Sequence, residues 1–171
     1  RLDPTVTIMQ GINNYIRKKP KKVVFADGED ENMLKSAIAF KNSKLGIPIL
    51  IGKEEKIKEQ IKKIGYNENF DIEIINSKNV TKREKYVQYV FKKLQREQGM
   101  LERDCDRLVR NERVVWASCM VACGDADAMV TGNTRRYSSS LEKIVKVVDP
   151  RPGQIMFGLN LIVNRGKTIF V

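Results

Sequence analysis

Short apolar runs alternate with amphipathic segments over the first half of the chain. Three runs, at Lys22–Ala26, Ile47–Gly52 and Ile72–Asn76, consist mostly of apolar residues and predict buried strands. Between them, apolar residues recur every three or four positions, which predicts two helices that end at Gly46 and Gly65. Strands of this kind separated by amphipathic helices indicate a parallel sheet covered on both faces.

A further amphipathic helix precedes the first strand. Asp3 can cap its start, Pro4 suits its first turn, and Pro20 ends it. The helical spacing is kept by four apolar residues, Val6, Met9, Ile12 and Ile16.

The pattern changes near residue 110. Residues 81–110 predict helices in at least two pieces, with a break at Gly99. Residues 112–122 are apolar nearly all round, which predicts a buried helix. We then expect a short strand at 128–130, a helix at 135–148, and a hairpin from 154 to 171 whose turn lies at 164–166.

These elements predict an α/β protein: a parallel-sheet three-layer (αβα) domain followed by the start of a second mixed α/β domain. The expected boundaries are 1–20 for the N-terminal helix, 21–110 for the first domain and 111–171 for the first part of the second. The chain stops within the apolar run Thr168–Val171, and unpaired backbone groups in a buried sheet are costly. We therefore expect a fragment whose second domain is incomplete.

Composition limits the classes of protein and of chemistry. Hydrophobic residues make up 42% and charged residues 31%, no apolar stretch suits a membrane span, and no secretory signal is recognisable, so we expect a cytoplasmic protein. The sequence has no histidine, which excludes a Ser-His-Asp triad and an imidazole base within it. Cys105, Cys119 and Cys123 lack the spacing of zinc or redox sites, and we expect small, structural side chains there.

The net charge of +11 has three possible interpretations. It could indicate a nucleic-acid-binding surface, but the lysines are scattered and no aromatic–glycine RNA-binding signature accompanies them. A lysine-rich solvated surface and a phosphate-bearing small ligand each explain the charge without nucleic acid. We therefore expect no nucleic-acid partner.

Two acidic segments are candidate sites with structural alternatives. Ala26–Asp30, which contains Gly28, follows the first strand, where α/β folds bind ligands, but acids there also cap helices well. Asp125 and Asp127 could bind a cation, yet the rest of a calcium loop is missing. For this pair we favour turn-forming aspartates that bond local N–H groups.

The segment Thr131–Ser140 combines a glycine turn, a helix start, two arginines and several hydroxyl side chains. Free N–H groups at a helix N-terminus bind anions, and arginines add charge-assisted hydrogen bonds. A phosphate, pyrophosphate or carboxylate fits this segment; an ordinary helix cap with exposed arginines is the alternative.

Three motifs, in the same order and with the same spacing, resemble the phosphate acetyl/butyryltransferase family. Val23–Asp30 is similar to the family's "FAEGE/D" opening, and Gly124–Gly132 to its "GDADGxVSG". Asp149–Gly153 matches its break before Pro-Gly. The opening Arg1–Pro4 and the run Val130–Tyr137 look like one branch, the phosphotransacetylase-like domain at the C-terminal end of bacterial NADP-dependent malic enzymes.

The resemblance implies that acetyl-CoA binds in a cleft between two α/β domains. It also implies that the catalytic Ser and Asp lie beyond Val171, so we expect no catalytic residue here. Two family arginines are replaced, one by Gln95 and one by Glu142. The second change inverts a charge, and we expect acetyl transfer to be absent.

By resemblance, then, the chain is a regulatory and oligomerisation module of a malic enzyme that binds acetyl-CoA or another acyl-CoA, in a homo-oligomer. NADP and Mg or Mn belong to the parent's catalytic region outside this segment. The alternatives are an active phosphate acetyltransferase and, more remotely, a basic nucleic-acid-binding domain. The expected ligand-binding residues are Gly28, Thr131, Gly132, Asn133, Thr134, Arg135, Arg136, Tyr137 and Ser139.

Overall fold

The structure is a computed structural model that describes residues 4–66, 70–77, 80–164 and 167–171. The predicted cap at Asp3 and the centre of the predicted hairpin turn, residues 165 and 166, lie outside these ranges. None of the described helices is long and apolar enough to cross a membrane. The elements are, in order, α1 (Pro4–Arg17), β1 (Lys21–Phe25), α2 (Glu31–Asn42), β2 (Gly46–Ile51), α3 (Glu54–Ile64), β3 (Glu73–Ile75), α4 (Val80–Gln98), α5 (Glu102–Asn111), α6 (Arg113–Ala122), β4 (Ala128–Val130), α7 (Tyr137–Val145), β5 (Leu161–Asn164) and β6 (Lys167–Phe170).

Four strands form one parallel sheet in the order β3-β2-β1-β4. Val24 of β1 lies opposite Ile49 of β2 on one side and opposite Met129 of β4 on the other. At the far edge, Leu50 of β2 lies opposite Ile74 of β3. The predicted α/β class with a parallel sheet is confirmed.

Alternate residues of the strands face two separate cores, since successive side chains of a strand point to opposite faces. Val24, Ile49 and Ile51 pack with residues of α4, α5 and α6. Phe25 and Leu50 pack on the other face with residues of α2 and α3. Helices thus cover both faces, which gives the predicted three layers.

Strand β4 brings part of the predicted second unit into the first sheet. It comes from beyond the expected boundary at residue 110, and it pairs with β1. Helix α6 packs in the same core as β1 and α4. Helix α6 joins this core because it is apolar nearly all round and must be buried. The chain that follows α6 then returns to the sheet as β4. The sheet therefore includes residues up to 130, while the division of the chain into domains stays a prediction.

The buried helix α6 is centred on Trp116. This side chain is fully buried, and its ring lies edge-on to Tyr86 of α4, with centroids 5.0 Å apart. The Tyr86 hydroxyl donates to Asp125 Oδ2 at 2.7 Å, which ties α4 to the loop after α6. Burial, followed by this hydrogen bond, raises the pKa of Tyr86 well above its usual range, so the hydroxyl stays protonated.

The three cysteines are free thiols, located in or beside the core that the sheet forms with α4, α5 and α6. Cys105 and Cys119 are fully buried, and Cys123 is half-buried. Burial raises the pKa of all three thiols, most strongly that of Cys119. A protonated thiol is a poor nucleophile, so the geometry agrees with the expected structural role.

A C-terminal hairpin forms, but its first strand begins at Leu161 and not at the predicted residue 154. β5 and β6 pair antiparallel, with Leu161 opposite Phe170 and Asn164 opposite Lys167. The preceding segment, residues 151–160, has no helix or strand and is exposed. Ile155 and Phe157 are 81% and 75% exposed, so several large apolar side chains of this segment face solvent.

Gly28 lies where the loop after β1 crosses the end of β2. Its N–H donates to the carbonyl oxygen of Ile51 at 3.1 Å. A β-carbon on Gly28 would lie 2.9 Å from that oxygen and 3.1 Å from Cβ of Leu50. The absence of a side chain therefore serves packing of the loop against the sheet.

We expect Gly28→Ala to lower the free energy of unfolding by about 1–3 kcal/mol, because the new methyl group overpacks against backbone. Urea unfolding followed by circular dichroism would measure the change. Gly11→Ala is the matched control, since a β-carbon there meets nothing within 4 Å and Ala favours the helix α1. An unchanged stability of Gly28→Ala would contradict the close approach.

Candidate functional site

The carboxyl ends of β1, β2 and β4 meet at one edge of the sheet because the strands are parallel. The Ala26 N–H donates to the Val130 carbonyl at 3.0 Å, and Gly28 bonds to the end of β2. The loop after β1 is therefore flanked by the loop after β2 and the loop after β4. Open α/β sheets bind ligands at this edge, so we take it as the candidate site.

Asp27 joins the loops after β1 and β4. Its side chain is buried, and its Oδ1 accepts a hydrogen bond from Thr134 Oγ1 at 2.8 Å. Its Oδ2 accepts a longer one from Thr131 Oγ1 at 3.4 Å. Both threonine hydroxyl groups of the predicted anion segment are thus already bonded to a carboxylate.

Asp30 caps helix α2 and also holds the loop after β4. Its Oδ1 accepts from the Met33 N–H at 2.9 Å and from Asn133 Nδ2 at 2.5 Å. The capping alternative is therefore confirmed for Asp30.

Glu112, between α5 and α6, binds two cations from the region after β4. Its Oε2 accepts from Arg135 Nη1 at 2.5 Å and from Lys143 Nζ at 2.7 Å. Burial acts to raise the pKa of the Glu112 carboxyl, but hydrogen bonds from Lys143 and Arg135 outweigh it and hold that pKa below its usual value. The carboxylate is ionised at neutral pH and offsets part of the positive charge of the site.

Glu29 is a second carboxylate that binds a cationic side chain, and it lies beside the end of β2. Its Oε1 accepts from Arg113 Nη2 at 2.7 Å and from the Lys53 N–H at 2.9 Å, at the start of α3. Burial acts to raise the pKa of Glu29, but the hydrogen bonds from Arg113 and Lys53 lower it overall. An internal carboxylate therefore joins α6 to α3 across the edge.

An open depression of about 490 Å³ lies beside the loop after β4. Gly132 in this loop has φ +116°, a conformation that favours glycine. Most of the lining is apolar and comes from β4 and α7, with Thr131, Gly132 and Ser140 as its small residues: Met129, Val130, Thr131, Gly132, Tyr137, Ser140, Leu141 and Ile144.

The depression contains three of the residues predicted to bind a ligand, namely Thr131, Gly132 and Tyr137. The predicted Arg135 is engaged by Glu112, and Arg136 is the exposed residue that precedes α7. Neither arginine lines the depression. The lining therefore carries less positive charge than the predicted anion site, which included both arginines.

The other predicted residues lie around the depression. Asn133 and Thr134 are bonded to acids of the β1 loop, and Gly28 packs on β2. Ser139 is half-buried and outside the lining, where Ser140 takes its place. Ligand binding by all nine residues stays a prediction.

Asp125 and Asp127 lie at the opposite, amino edge of the sheet. Asp127 accepts from Lys21 Nζ at 2.7 Å and from the Lys22 N–H at 2.9 Å, beside the start of β1. Asp125 is held by Tyr86 and Lys85. In the described parts of the chain, no group of three His, Cys, Asp or Glu side chains could hold a metal ion.

Glu112 is the site residue that sequence reasoning missed. It lies between two predicted helical segments and belongs to no recognisable motif. The sequence shows only a single acidic residue shortly before a long apolar run. Its partners lie 23 and 31 residues away. Only the tertiary fold shows that it faces them.

Residues 7–171 match the sequence family described as "Phosphate acetyl/butaryl transferase". The NADP-dependent malic enzyme of Rhizobium meliloti is 40% identical over 172 residues, which cover 100% of this chain and 22% of that protein. The probable NADP-dependent malic enzyme of Rickettsia prowazekii is 39% identical, again over 100% of this chain and 22% of the relative. This chain therefore spans about a fifth of the length of the malic enzymes that it matches.

Transferases are more distant in sequence but close in fold. The phosphate acetyltransferase of Helicobacter pylori is 28% identical over 86% of this chain and 28% of that protein. A phosphotransacetylase structure from Streptococcus pyogenes superimposes with a TM-score of 0.84 at 23% identity, over 96% of this chain and 50% of that one. The latter likeness establishes the fold alone.

We expect Glu112→Gln to lower the free energy of unfolding by about 1–2 kcal/mol at neutral pH, because Arg135 and Lys143 lose their ionised partner. A carboxyl whose pKa is depressed on folding stabilises the protein above its unfolded pKa and ceases to do so as pH falls through the folded value. The difference from wild type should therefore shrink in acid, below about pH 4.

Urea titrations at both pH values would measure this difference. Glu142→Gln is the control, since Glu142 is 69% exposed and its pair with Lys146 contributes little. An equal loss for Glu112→Gln at both pH values would rule out the ionic role.

Proposed function

Because this chain belongs to the phosphate acetyl/butaryl transferase family, we propose that it is the phosphotransacetylase-like module of a longer NADP-dependent malic enzyme. In this proposal the module binds acetyl-CoA, or a related acyl-CoA, at the carboxyl edge of the sheet. Binding regulates malate oxidation and decarboxylation elsewhere in the parent protein. The module also contributes to a homo-oligomer.

The observation that supports ligand binding is the depression between β4 and α7. Its lining is mainly apolar, which suits an acyl chain and the neighbouring aliphatic part of coenzyme A. The first turn of α7 has no side-chain cap, and Arg136 is exposed directly before it. Free N–H groups and an arginine suit a phosphate next to an apolar pocket.

The proposed regulation requires a second site, because allostery couples two sites through two states. We place NADP and a divalent metal, Mg or Mn, in the part of the parent protein outside this chain. The module's own contribution is then to bind and orient the acyl-CoA.

An active phosphate acetyltransferase is the alternative, favoured by the relatives of that name. Two observations at one replaced position speak against it. Glu142 stands where the family has an arginine, and it is exposed and paired with Lys146. The neighbouring Lys143 cannot compensate freely, since Glu112 holds it.

The nucleic-acid alternative has weaker support. Several lysines form i,i+4 pairs with glutamates on helix surfaces, namely Lys35, Lys58 and Lys63. This arrangement is typical of solvated helix faces, and such pairs reduce the positive charge available to phosphates.

We expect calorimetry on the full-length protein to detect acetyl-CoA binding and Arg136→Ala to weaken it about tenfold, because one charge-assisted hydrogen bond is lost. Arg135→Ala should also weaken binding, since it leaves the Glu112 carboxylate less compensated beside the anion. Arg107→Ala, an exposed arginine on α5, is the control for net charge. Absence of heat from wild type would refute acyl-CoA binding.

We expect no transfer of an acetyl group from acetyl phosphate to CoA. The assay follows formation of the thioester and release of inorganic phosphate, with the Streptococcus pyogenes phosphotransacetylase as positive control. Turnover by the full-length protein would favour the transferase alternative. Measured together with the calorimetry, this assay separates a binding module from an enzyme.

A further inference from the structure

A second hollow lies at the other end of the carboxyl edge, beyond the ends of β2 and β3. Its volume is about 140 Å³, and it is separate from the depression beside α7. Segments far apart in sequence form it: the end of β2, the residues after β3, and the junction of α5 and α6. Its lining includes Gly52, Lys53, Ser77, Arg110, Asn111 and Arg113.

The hollow has three cationic side chains and little opposing charge. Arg113 is paired with Glu29. Across residues 4–66, 70–77, 80–164 and 167–171, no carboxylate forms a salt bridge with Lys53 or Arg110. Both of these residues are exposed, so their charges are accessible to a ligand.

Hydrogen bonds fix the backbone of the hollow. The Ser77 hydroxyl donates to the Arg110 carbonyl at 3.3 Å, which joins the end of β3 to α5. The Lys53 N–H donates to Glu29, and the Gly52 N–H donates to the Ile75 carbonyl at 3.0 Å. The cationic side chains therefore extend from positions that are held in place before a ligand arrives.

We propose that this hollow binds one phosphate group. Its volume of about 140 Å³ suits a single tetrahedral anion. Guanidinium groups bind phosphate through paired N–H donors, and Lys53 adds a point charge. A dianionic phosphate also matches Lys53 and Arg110, which have no carboxylate partner among the described residues, better than a carboxylate does. The site uses no residue of the depression, so it stands even if the chain binds no acyl-CoA.

The test is a calorimetric titration of the full-length protein with inorganic phosphate at low ionic strength. We expect saturable binding that is about tenfold weaker in Arg110→Gln and in Lys53→Gln. Arg107→Gln is the matched control, because Arg107 is exposed one turn earlier on α5, outside the hollow, and its loss changes the net charge equally. Circular dichroism would verify that all variants fold.

Competition identifies the source of the phosphate. Displacement of inorganic phosphate by CoA but not by 3′-dephospho-CoA would assign the site to the 3′-phosphate of a coenzyme. If neither compound displaces inorganic phosphate, the site binds free phosphate or another small phosphate ester. Each of these two results supports a phosphate site in the hollow. Non-saturable heats from wild type, or equal weakening by Arg107→Gln, would overturn it. The titration with inorganic phosphate is independent of acetyl-CoA binding at the depression, which Arg136→Ala tests.

Discussion

Strand β1 has a parallel neighbour on each side, and this double pairing determines where every candidate site residue lies. Its backbone groups bond to β2 on one side and to β4 on the other. Because all the strands run in the same direction, their carboxyl ends meet, and the loops that leave them converge at one edge. Loss of the pairing with β4 would separate Asp27 from both of its threonine partners.

Carboxylates hold this edge together. Asp27 and Asp30 bind the loop after β4, Glu29 binds Arg113, and Glu112 binds Arg135. Charged hydrogen bonds of this kind position loops, but they also use cations that a ligand would otherwise find free. The sequence is strongly basic, yet its arginines are not equally available. Among the residues that the structure describes, no carboxylate pairs with Arg110 or Arg136, whereas Arg113 and Arg135 are partly neutralised by Glu29 and Glu112.

Much of the fold could be predicted from the sequence, because strand and helix periodicities are local signals. The apolar runs around Val24 and Ile49 and the all-apolar segment around Trp116 became two central strands and a buried helix. The partner of β4 could not be predicted, since a three-residue strand has too few positions to specify its neighbour. The ion pair between Glu112 and Arg135 could not be predicted either, because charge pairing depends on distances in the folded structure. A single acidic residue forms no sequence pattern that would indicate its partner. For the candidate site, the motifs indicated the loop that lies beside the depression, but not which of its side chains bond to carboxylates.

The lone tryptophan of the chain has a practical consequence for studying the molecule. Trp116 is wholly enclosed, and the ring of Tyr86 lies 5.0 Å away. An indole in such surroundings should emit at short wavelength and receive excitation energy from the neighbouring phenol. Intrinsic fluorescence would thus report the opening of a single place, the contact between α4 and α6, without any attached label.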